Sequence, residues 1–185
     1  MEKDEIRKKF LTIRESLSEE EAENKSQSVC KMLFSMSCFE QSDWLYGYMP
    51  IRKEVNIRPF LEHLLRNGKN IALPRVDGDT MEFYQITSFD DLKEGTFHIL
   101  EPKEGCPKVE SSGFMLIPGV AFDFNGGRIG YGKGYYDKYF ATHSQALEKL
   151  GIAYIMQITE EEIPTTSRDA RLHGLISEED FWMFT

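Results

Sequence analysis

The sequence predicts a single α/β domain with a three-layer fold, in which a mainly parallel sheet lies between helices. Short apolar runs such as residues 70–74 and 114–117 alternate with longer segments whose apolar residues recur every three or four positions. A glycine-rich segment, residues 126–137, follows one such run and precedes a helical pattern. The length of 185 residues suits one core, because domains commonly contain about 100–150 residues.

Two helices are predicted at the start of the chain. Apolar residues at three- and four-residue spacings predict the first over residues 3–17: Ile6, Phe10, Ile13 and Leu17. Ser18 is a suitable N-cap for the second, with Glu21 as its capping-box partner. We expect that helix to end near Met36.

The middle and last thirds of the chain continue the alternation of strands and helices. A helix is predicted at residues 56–66, and a surface connection at residues 101–113. After the glycine-rich segment, helical spacing predicts a helix over residues 136–150 that stops at Gly151. The predicted strands are residues 44–48, 70–74, 81–86, 114–117 and 152–158.

Composition excludes several classes of protein. The formal net charge of −9 argues against broad nucleic-acid binding, which needs a basic face. The charged N-terminus lacks the apolar region of a secretory signal, and apolar runs are too short to span a membrane, so we expect a cytoplasmic protein. The three cysteines form no CxxC motif and predict free thiols: Cys30, Cys38 and Cys106. The four histidines show no ligand spacing, and a monomer is the default expectation.

Residues 126–137, read as GGRIGYGKGYYD, predict an anion-binding loop. Glycines let a backbone approach a phosphate closely, and a following helix N-terminus adds positive potential. The segment nearly matches the phosphate loop GxxxxGK, but Gly134 stands where Ser or Thr would bind magnesium. Magnesium would then need a carboxylate, and Asp123 and Asp137 are the nearest. The alternative is a glycine-rich turn with no ligand.

This segment and the preceding PGVAFD, residues 118–123, resemble the 5-formyltetrahydrofolate cyclo-ligase family. The resemblance extends over nearly the whole chain. Lys3 and Arg7 resemble the family's N-terminal basic pair. Residues 50–55 resemble its PxxxEV element, and Asp169 also falls in family order.

The resemblance implies an enzyme that uses ATP and Mg²⁺ to convert 5-formyltetrahydrofolate, a reduced folate, into 5,10-methenyltetrahydrofolate. Lys133 and Arg128 would lie close to the transferring phosphate, and Asp137 and Asp169 would bind the metal. The implied ATP contacts are Lys3, Arg7, Arg128, Ile129, Gly130, Tyr131, Gly132, Lys133, Gly134, Tyr135 and Tyr136. The implied folate contacts are Met49, Glu54, Tyr131, Gly132, Lys133, Gly134 and Tyr135.

Each implied role has a structural alternative. Lys3 and Arg7, four residues apart, are typical of a solvated helix face. Glu54 suits a surface charge, Asp169 a turn cap, and Tyr136 a core aromatic residue. Two other functions also stay open: an ATP-dependent transferase with a different acceptor, and a non-catalytic module that binds nucleotide or folate.

Overall fold

The computed structural model describes residues 1–184 and contains five α-helices, three short 3-10 helices and twelve strands within that range. The helices are α1 (Lys3–Glu15), α2 (Glu19–Phe34), α3 (Cys38–Gln41), α4 (Arg58–Arg66) and α5 (Tyr135–Thr142). The strands are β1 (Trp44–Tyr46), β2 (Asn70–Asp77), β3 (Thr80–Ile86), β4 (Leu92–Glu94), β5 (Leu100–Pro102), β6 (Gly113–Ile117), β7 (Ala121–Asp123), β8 (Arg128–Ile129), β9 (Leu147–Ile152), β10 (Ile158–Thr159), β11 (Gly174–Ile176) and β12 (Phe181–Met183).

A seven-stranded sheet organises the molecule, in the order β12-β11-β9-β6-β1-β2-β3. The five central strands are parallel, and β3 and β12 pair antiparallel at the two edges. A second sheet has the order β10-β7-β8, and β4 pairs with β5 in a two-stranded ribbon. The predicted mainly parallel α/β fold is confirmed.

The two faces of the large sheet are covered by different helices. Leu45 of β1 packs into a core with residues of α2, α3 and α4, whereas its neighbour Tyr46 packs into a core that includes Tyr139 of α5. Successive strand residues point to opposite faces, so one strand supplies both cores. The three-layer arrangement follows from this alternation.

Helix α1 packs against the three-stranded sheet β10-β7-β8 and not against either core of the large sheet. Ile6 and Phe10 are buried with Val120, Ala121 and Ile129. Ser18 caps α2, and the predicted capping box with Glu21 is present. The apolar stripe of α1 therefore fixes this helix beside the segment that carries the glycines.

The helix predicted over residues 136–150 is confirmed only as far as Thr142, and the strand predicted over residues 152–158 is wrong. Helix α5 ends at Thr142, and residues 147–152 form β9 beside β6. Leu147 and Leu150 have helical spacing, but they are buried on opposite faces of the sheet. Gly151 is no helix stop: a Cβ there would lie 2.6 Å from Leu175 Cδ2. Pairing and close packing override the local pattern.

The remaining predictions differ mainly at their boundaries. The start of the predicted surface connection forms β5, and the glycine-rich segment contains β8. The cysteines Cys30, Cys38 and Cys106 are free, as predicted. Across the described residues 1–184, no helix combines the length and the apolar character needed to cross a membrane.

Candidate active site

A crevice is expected where β1 and β6 lie side by side, at the carboxyl ends of the parallel strands. From β1 the chain adds β2 and β3 on one side, and it then returns to add β6, β9 and β11 on the other. Ligands of open parallel sheets bind where the strand order reverses in this way. β1 leads to residues 47–56 and β6 leads to residues 118–134, so both segments border this point.

The glycine-rich segment, residues 126–137, contains the second half of the β7–β8 hairpin, an open turn at residues 130–134 and the start of α5. The predicted order of strand, glycine-rich segment and helix is present, with the β7–β8 hairpin between β6 and the turn. Gly132 and Gly134 have φ angles of 96° and 68°, which strain any residue with a Cβ. Gly134 is also the N-cap of α5. Amide N–H groups and the positive end of the helix dipole border this turn, an arrangement that favours anions.

The basic pair of α1 faces this turn and not open solvent. Arg7 Nε donates to the carbonyl oxygen of Gly130 at 2.8 Å. A Cβ added at Gly132 would lie 3.6 Å from Arg7 Cζ. Lys3 Nζ lies 2.6 Å from Asp169 Oδ2. The alternative of a merely solvated helix face is wrong for both cations.

Arg128 lies between the hairpin and α5. Its Nη1 donates to the carbonyl oxygen of Pro118 at 3.1 Å, and its Cζ lies 5.1 Å from the centre of the Tyr136 ring. Burial lowers the pKa of the Arg128 guanidinium, and Asp137 opposes this most strongly, followed by Tyr136 and Glu54. An arginine stays charged despite such a shift. A permanent cation is thus held inside the crevice.

The other residues of the turn differ in what they present. Lys133 is exposed, and within residues 1–184 its ammonium group forms no hydrogen bond or ion pair. The Tyr135 hydroxyl donates to the carbonyl oxygen of Gly78 at 3.1 Å, which ties the start of α5 to the β2–β3 turn. Ile129 is buried against α1, so it supports the turn instead of lining the crevice. Tyr136 is half-buried against the core under α5.

Asp137 and Asp169 lie at one end of this turn. Asp137 Oδ1 accepts from the amide N of Ala170 at 2.9 Å, and Asp169 Oδ2 accepts from the amide N of Thr166 at 2.7 Å in addition to Lys3. Burial raises the pKa of Asp169, but the hydrogen bonds from Lys3 and Thr166 outweigh it and lower the pKa overall.

The chemistry of this carboxylate pair fits a hard cation. The second oxygen of each carboxylate accepts no hydrogen bond within residues 1–184, which leaves one oxygen on Asp137 and one on Asp169 for a ligand. Magnesium is usually held by one or two carboxylates together with phosphate oxygens and water. The pair therefore fits Mg²⁺.

Asp123, the other carboxylate considered for magnesium, has a structural role. It is 1% exposed and accepts from the amide N atoms of Asn125, Gly127 and Ile163 at 2.8, 2.7 and 2.7 Å. A Cβ at Gly127 would lie 2.5 Å from its Oδ2. Asp123 holds the hairpin turn closed, and its expected metal role is wrong because both oxygens are occupied.

The opposite wall of the crevice is formed by the segment after β1. Met49 is buried in the core beneath α2 and α4. Glu54 is only 6% exposed, and its Oε2 accepts from the amide N of Ile51 at 3.0 Å. Arg52 and Lys53 between them have φ angles of 46° and 58°. This strained turn carries the Glu54 carboxylate inward, so the alternative of a surface charge is wrong.

Burial raises the pKa of Glu54 to about 7, even though neighbouring groups oppose it. Arg14, the amide of Ile51, the Tyr131 hydroxyl and Arg128 all favour the charged form. Glu54 therefore lies within electrostatic reach of both the glycine turn and α1. A carboxylate with such a pKa is typical of functional sites.

Two buried residues of this region escaped the sequence prediction. Arg14 is fully buried; its Nη1 donates to the carbonyl oxygen of Gly119 at 3.1 Å, and its Nη2 donates to the Tyr131 hydroxyl. Gln157 Nε2 donates to the carbonyl oxygens of Gly119 and Val120 at 2.9 and 3.0 Å. Arg14 carried a signal, because it follows Phe10 by four residues on the buried stripe of α1. No sequence pattern indicated the role of Gln157.

A cavity of about 690 Å³ opens beside Glu54. Its walls come from the end of α1, from α2, from the turn after β1 and from Tyr154. The lining residues are Glu15, Glu19, Ala22, Glu23, Ser26, Pro50, Ile51, Arg52, Lys53, Glu54, Asn56 and Tyr154. The cavity thus offers space for an organic molecule beside the buried Glu54 carboxylate, and its lining residues come from the Glu54 side and not from the glycine turn.

Comparison with known proteins agrees with this arrangement. A Schizosaccharomyces pombe protein named "probable 5-formyltetrahydrofolate cyclo-ligase" is 33% identical over 175 residues, covering 85% of each chain. The 5-formyltetrahydrofolate cyclo-ligase of Mycoplasma pneumoniae is 32% identical over 163 residues, covering 85% of this chain and 88% of its own. The solution structure of 5,10-methenyltetrahydrofolate synthetase from Aquifex aeolicus is 36% identical and superposes with a TM-score of 0.85, covering 99% of this chain and 93% of its own.

Fold and site together define an α/β protein in which a glycine turn with nearby cations lies close to a buried carboxylate. The chain belongs to the 5-formyltetrahydrofolate cyclo-ligase family, whose sequence profile matches residues 1–178. It is accordingly an enzyme of the ligase class that forms carbon–nitrogen bonds.

Proposed function

We propose that this enzyme converts 5-formyltetrahydrofolate into 5,10-methenyltetrahydrofolate in a reaction that needs ATP and Mg²⁺ and releases ADP and phosphate. The family is ATP-dependent, which supports the choice of nucleotide. One observation carries the proposal: the turn that bears the cations Arg128 and Lys133 lies close to the buried carboxylate of Glu54.

The chemistry explains why cations are needed on one wall. A formamide oxygen is a poor leaving group, so it first accepts the γ-phosphoryl group of ATP and becomes an imidate-like phosphate. The neighbouring nitrogen of the folate then bonds to the formyl carbon, loses its proton, and phosphate departs with the former formyl oxygen. The protein contributes mainly position and charge neutralisation to such a phosphoryl transfer.

The turn and α1 would bind the nucleotide. Lys3, Arg7 and residues 128–136 border one anion-binding surface, in which backbone N–H groups and guanidinium groups can contact phosphate oxygens. Arg128 is held rigidly by Pro118, whereas Lys133 is exposed and can follow the transferring group. We assign these two cations to the transferring phosphate. Ile129 would contribute through its backbone, since its side chain is buried.

Asp137 and Asp169 would hold Mg²⁺, which supplies positive charge beside the phosphate oxygens when bound. Asp169 pairs with Lys3 of α1, and Asp137 lies in the first turn of α5. The hydrogen bond from Ala170 to Asp137 fixes the orientation of one carboxylate and the chain around the other.

Glu54 and Met49 would bind the folate, together with residues 131–135 on the facing turn. An ionised Glu54 accepts hydrogen bonds from the N–H groups of a pterin, and Met49 offers an apolar surface beside it. The cavity next to Glu54 has room for the remainder of a folate. A monomeric state and a cytoplasmic location stay predictions.

Ultraviolet absorbance tests this function directly. The purified enzyme is incubated with 5-formyltetrahydrofolate, ATP and Mg²⁺, and the methenyl chromophore is followed over time. Controls omit ATP, omit enzyme, or add a chelator. ATP-dependent growth of the band supports the proposal; a flat trace from folded protein that binds ATP would redirect it to a different acceptor or to a binding role.

A further inference from the structure

Arg14 is the most unusual charged residue in the molecule. It lies on the apolar stripe of α1, is fully buried, and its Nε atom has no hydrogen-bond partner within residues 1–184. A buried cation is costly unless it is fully paired, and apolar residues of similar size often stabilise such positions more. Packing of α1 alone therefore gives no reason for an arginine here.

The hydrogen bonds of Arg14 all go to the segment after β6. Nη1 contacts the carbonyl oxygen of Gly119, directly after β6, and Nη2 contacts the hydroxyl of Tyr131 in the glycine turn. Its Cζ also lies 5.6 Å from the centre of the Tyr131 ring. Its charge acts on Glu54, which belongs to the other wall. Arg14 thus holds the segment after β6 by hydrogen bonds, and the Tyr131 hydroxyl that it holds also favours the charged form of Glu54 on the segment after β1.

We propose that Arg14 is a positioning residue that holds the Tyr131 hydroxyl and keeps a positive charge beside Glu54, so that Glu54 meets the folate ionised. This inference rests on the proposed function, because it assigns the folate to the Glu54 wall. Arg14 acts through Glu54 and Tyr131 and need not touch the substrate itself.

Several other groups also face Glu54 and contribute to its titration. Arg128 and Tyr131 favour its charged form, as does Arg14. Tyrosines on three further segments also lie within electrostatic reach of it: Tyr48, Tyr136 and Tyr154. Among the cations, Arg128 is proposed to neutralise phosphate. Arg52, in the turn that carries Glu54, has its guanidinium 5.7 Å from the centre of the Tyr131 ring, but it is exposed and pairs with Glu15. Arg14 is then the buried cation left to favour an ionised Glu54 when nucleotide is bound.

The experiment compares Arg14→Met with wild type in kcat and KM for each substrate between pH 6 and 9. We expect KM for 5-formyltetrahydrofolate to rise roughly fivefold at pH 7 and to recover towards pH 9, because loss of the charge moves the acidic limb of the pH profile, centred near pH 7, up by about one pH unit. KM for ATP should change much less. Arg14→Lys, which keeps the charge, should restore most of the profile. Lys8→Met, an exposed cation on the same helix, is the matched control.

Two further measurements separate positioning from packing. In a Glu54→Gln background, Arg14→Met should have no further effect on the pH profile, because the group through which it acts no longer titrates. Equal increases in both KM values, or an unchanged acidic limb with a lowered melting temperature, would overturn the proposal. If Arg14→Met does not fold, Tyr131→Phe is measured instead, with Arg14→Lys as the variant that should stay near wild type. An unchanged folate KM and acidic limb in Tyr131→Phe would then also overturn the proposal.

Equilibrium binding of 5-formyltetrahydrofolate between pH 6 and 9 keeps this inference separate from the proposed function. A wild-type protein that shows no turnover would contradict the proposed function. The role of Arg14 would still be supported if wild-type protein binds folate more tightly at high pH and Arg14→Met weakens that binding near neutral pH. Normal wild-type turnover with a pH-independent effect of Arg14→Met on binding contradicts the role of Arg14 alone.

Discussion

The two walls of the crevice are built in opposite ways. The glycine wall, residues 126–137, contains left-handed glycines and an exposed Lys133. The Glu54 wall, residues 47–56, buries its carboxylate and its methionine against the core. A phosphoryl group that moves during a reaction is served by an adaptable cation, whereas a flat heterocycle is recognised by a fixed acceptor. Under the proposed function, the glycine wall neutralises the charge of the phosphate and the Glu54 wall recognises the folate.

The largest effect is expected on the glycine wall. Lys133→Ala should lower kcat by roughly 10²–10³-fold while ATP affinity falls far less, because a charge aimed at the transferring group matters most in the transition state. Initial rates from methenyl absorbance, with ATP binding measured separately, test this. Lys138→Ala, another exposed lysine one helical turn further along, should stay near wild type. Equal losses in turnover and ATP binding would refute the division of roles.

Burial of the Glu54 carboxylate should lower the stability of the folded protein at neutral pH. The pKa of Glu54 is raised from 4.5 to about 7, so the folded state binds the proton more tightly than the unfolded state. This proton linkage contributes stability below pH 4.5 that is lost as the pH rises to 7, on the order of 3 kcal/mol. Glu54→Gln should therefore gain in stability relative to wild type between pH 5 and pH 8. Urea unfolding at both values measures this, and a pH-independent difference would contradict the burial argument.

The dependence of the rate on Mg²⁺ should change with substitutions on the glycine wall and not with substitutions on the Glu54 wall. Asp137→Asn keeps an oxygen for the hydrogen bond from Ala170 but removes the negative charge, so the Mg²⁺ concentration for half-maximal rate should rise several-fold. Magnesium titrations of the rate measure this for Asp137→Asn and for Glu54→Gln, which should leave the midpoint unchanged. A midpoint that moves equally in both variants would mean that the metal does not belong to the glycine wall.

The smallest effect concerns the backbone of the turn. Gly132→Ala places a Cβ at a φ of 96°, which should cost about 1 kcal/mol of stability or more and lower the apparent affinity for ATP. Gly105→Ala is the control, because that glycine lacks a positive φ and has no neighbour within 4 Å of an added Cβ. Thermal unfolding and ATP titration compare the two. Identical behaviour would show that the conformation of Gly132 is not required.

Local signals explain why much of the fold was predictable from the sequence. The stripe of α1, the capping box of α2 and the apolar runs of β1, β2 and β6 each carry their pattern within a few residues. The region after the glycines was not predictable in the same way. Leu147 and Leu150 suit a helix locally, and only the pairing of β9 with β6 makes them strand residues.

The site shows the same division between local and tertiary information. Glycines and cations at fixed spacing make the turn recognisable from the amino-acid sequence alone. The role of Asp123 depends on the amide of Ile163, forty residues away, and Arg14 depends on partners from two distant loops. Sequence spacing does not encode such contacts, so the supporting residues of the site emerge only from the fold.

The central claim is that both walls serve one reaction, and the ratio of products tests it most directly. Phosphate release and methenyl absorbance are measured in the same sample under conditions in which both substrates are required. The account predicts one phosphate for each 5,10-methenyltetrahydrofolate formed, and no phosphate release when folate is omitted. Phosphate release that continues without methenyl formation, or methenyl formation without ATP, would contradict it.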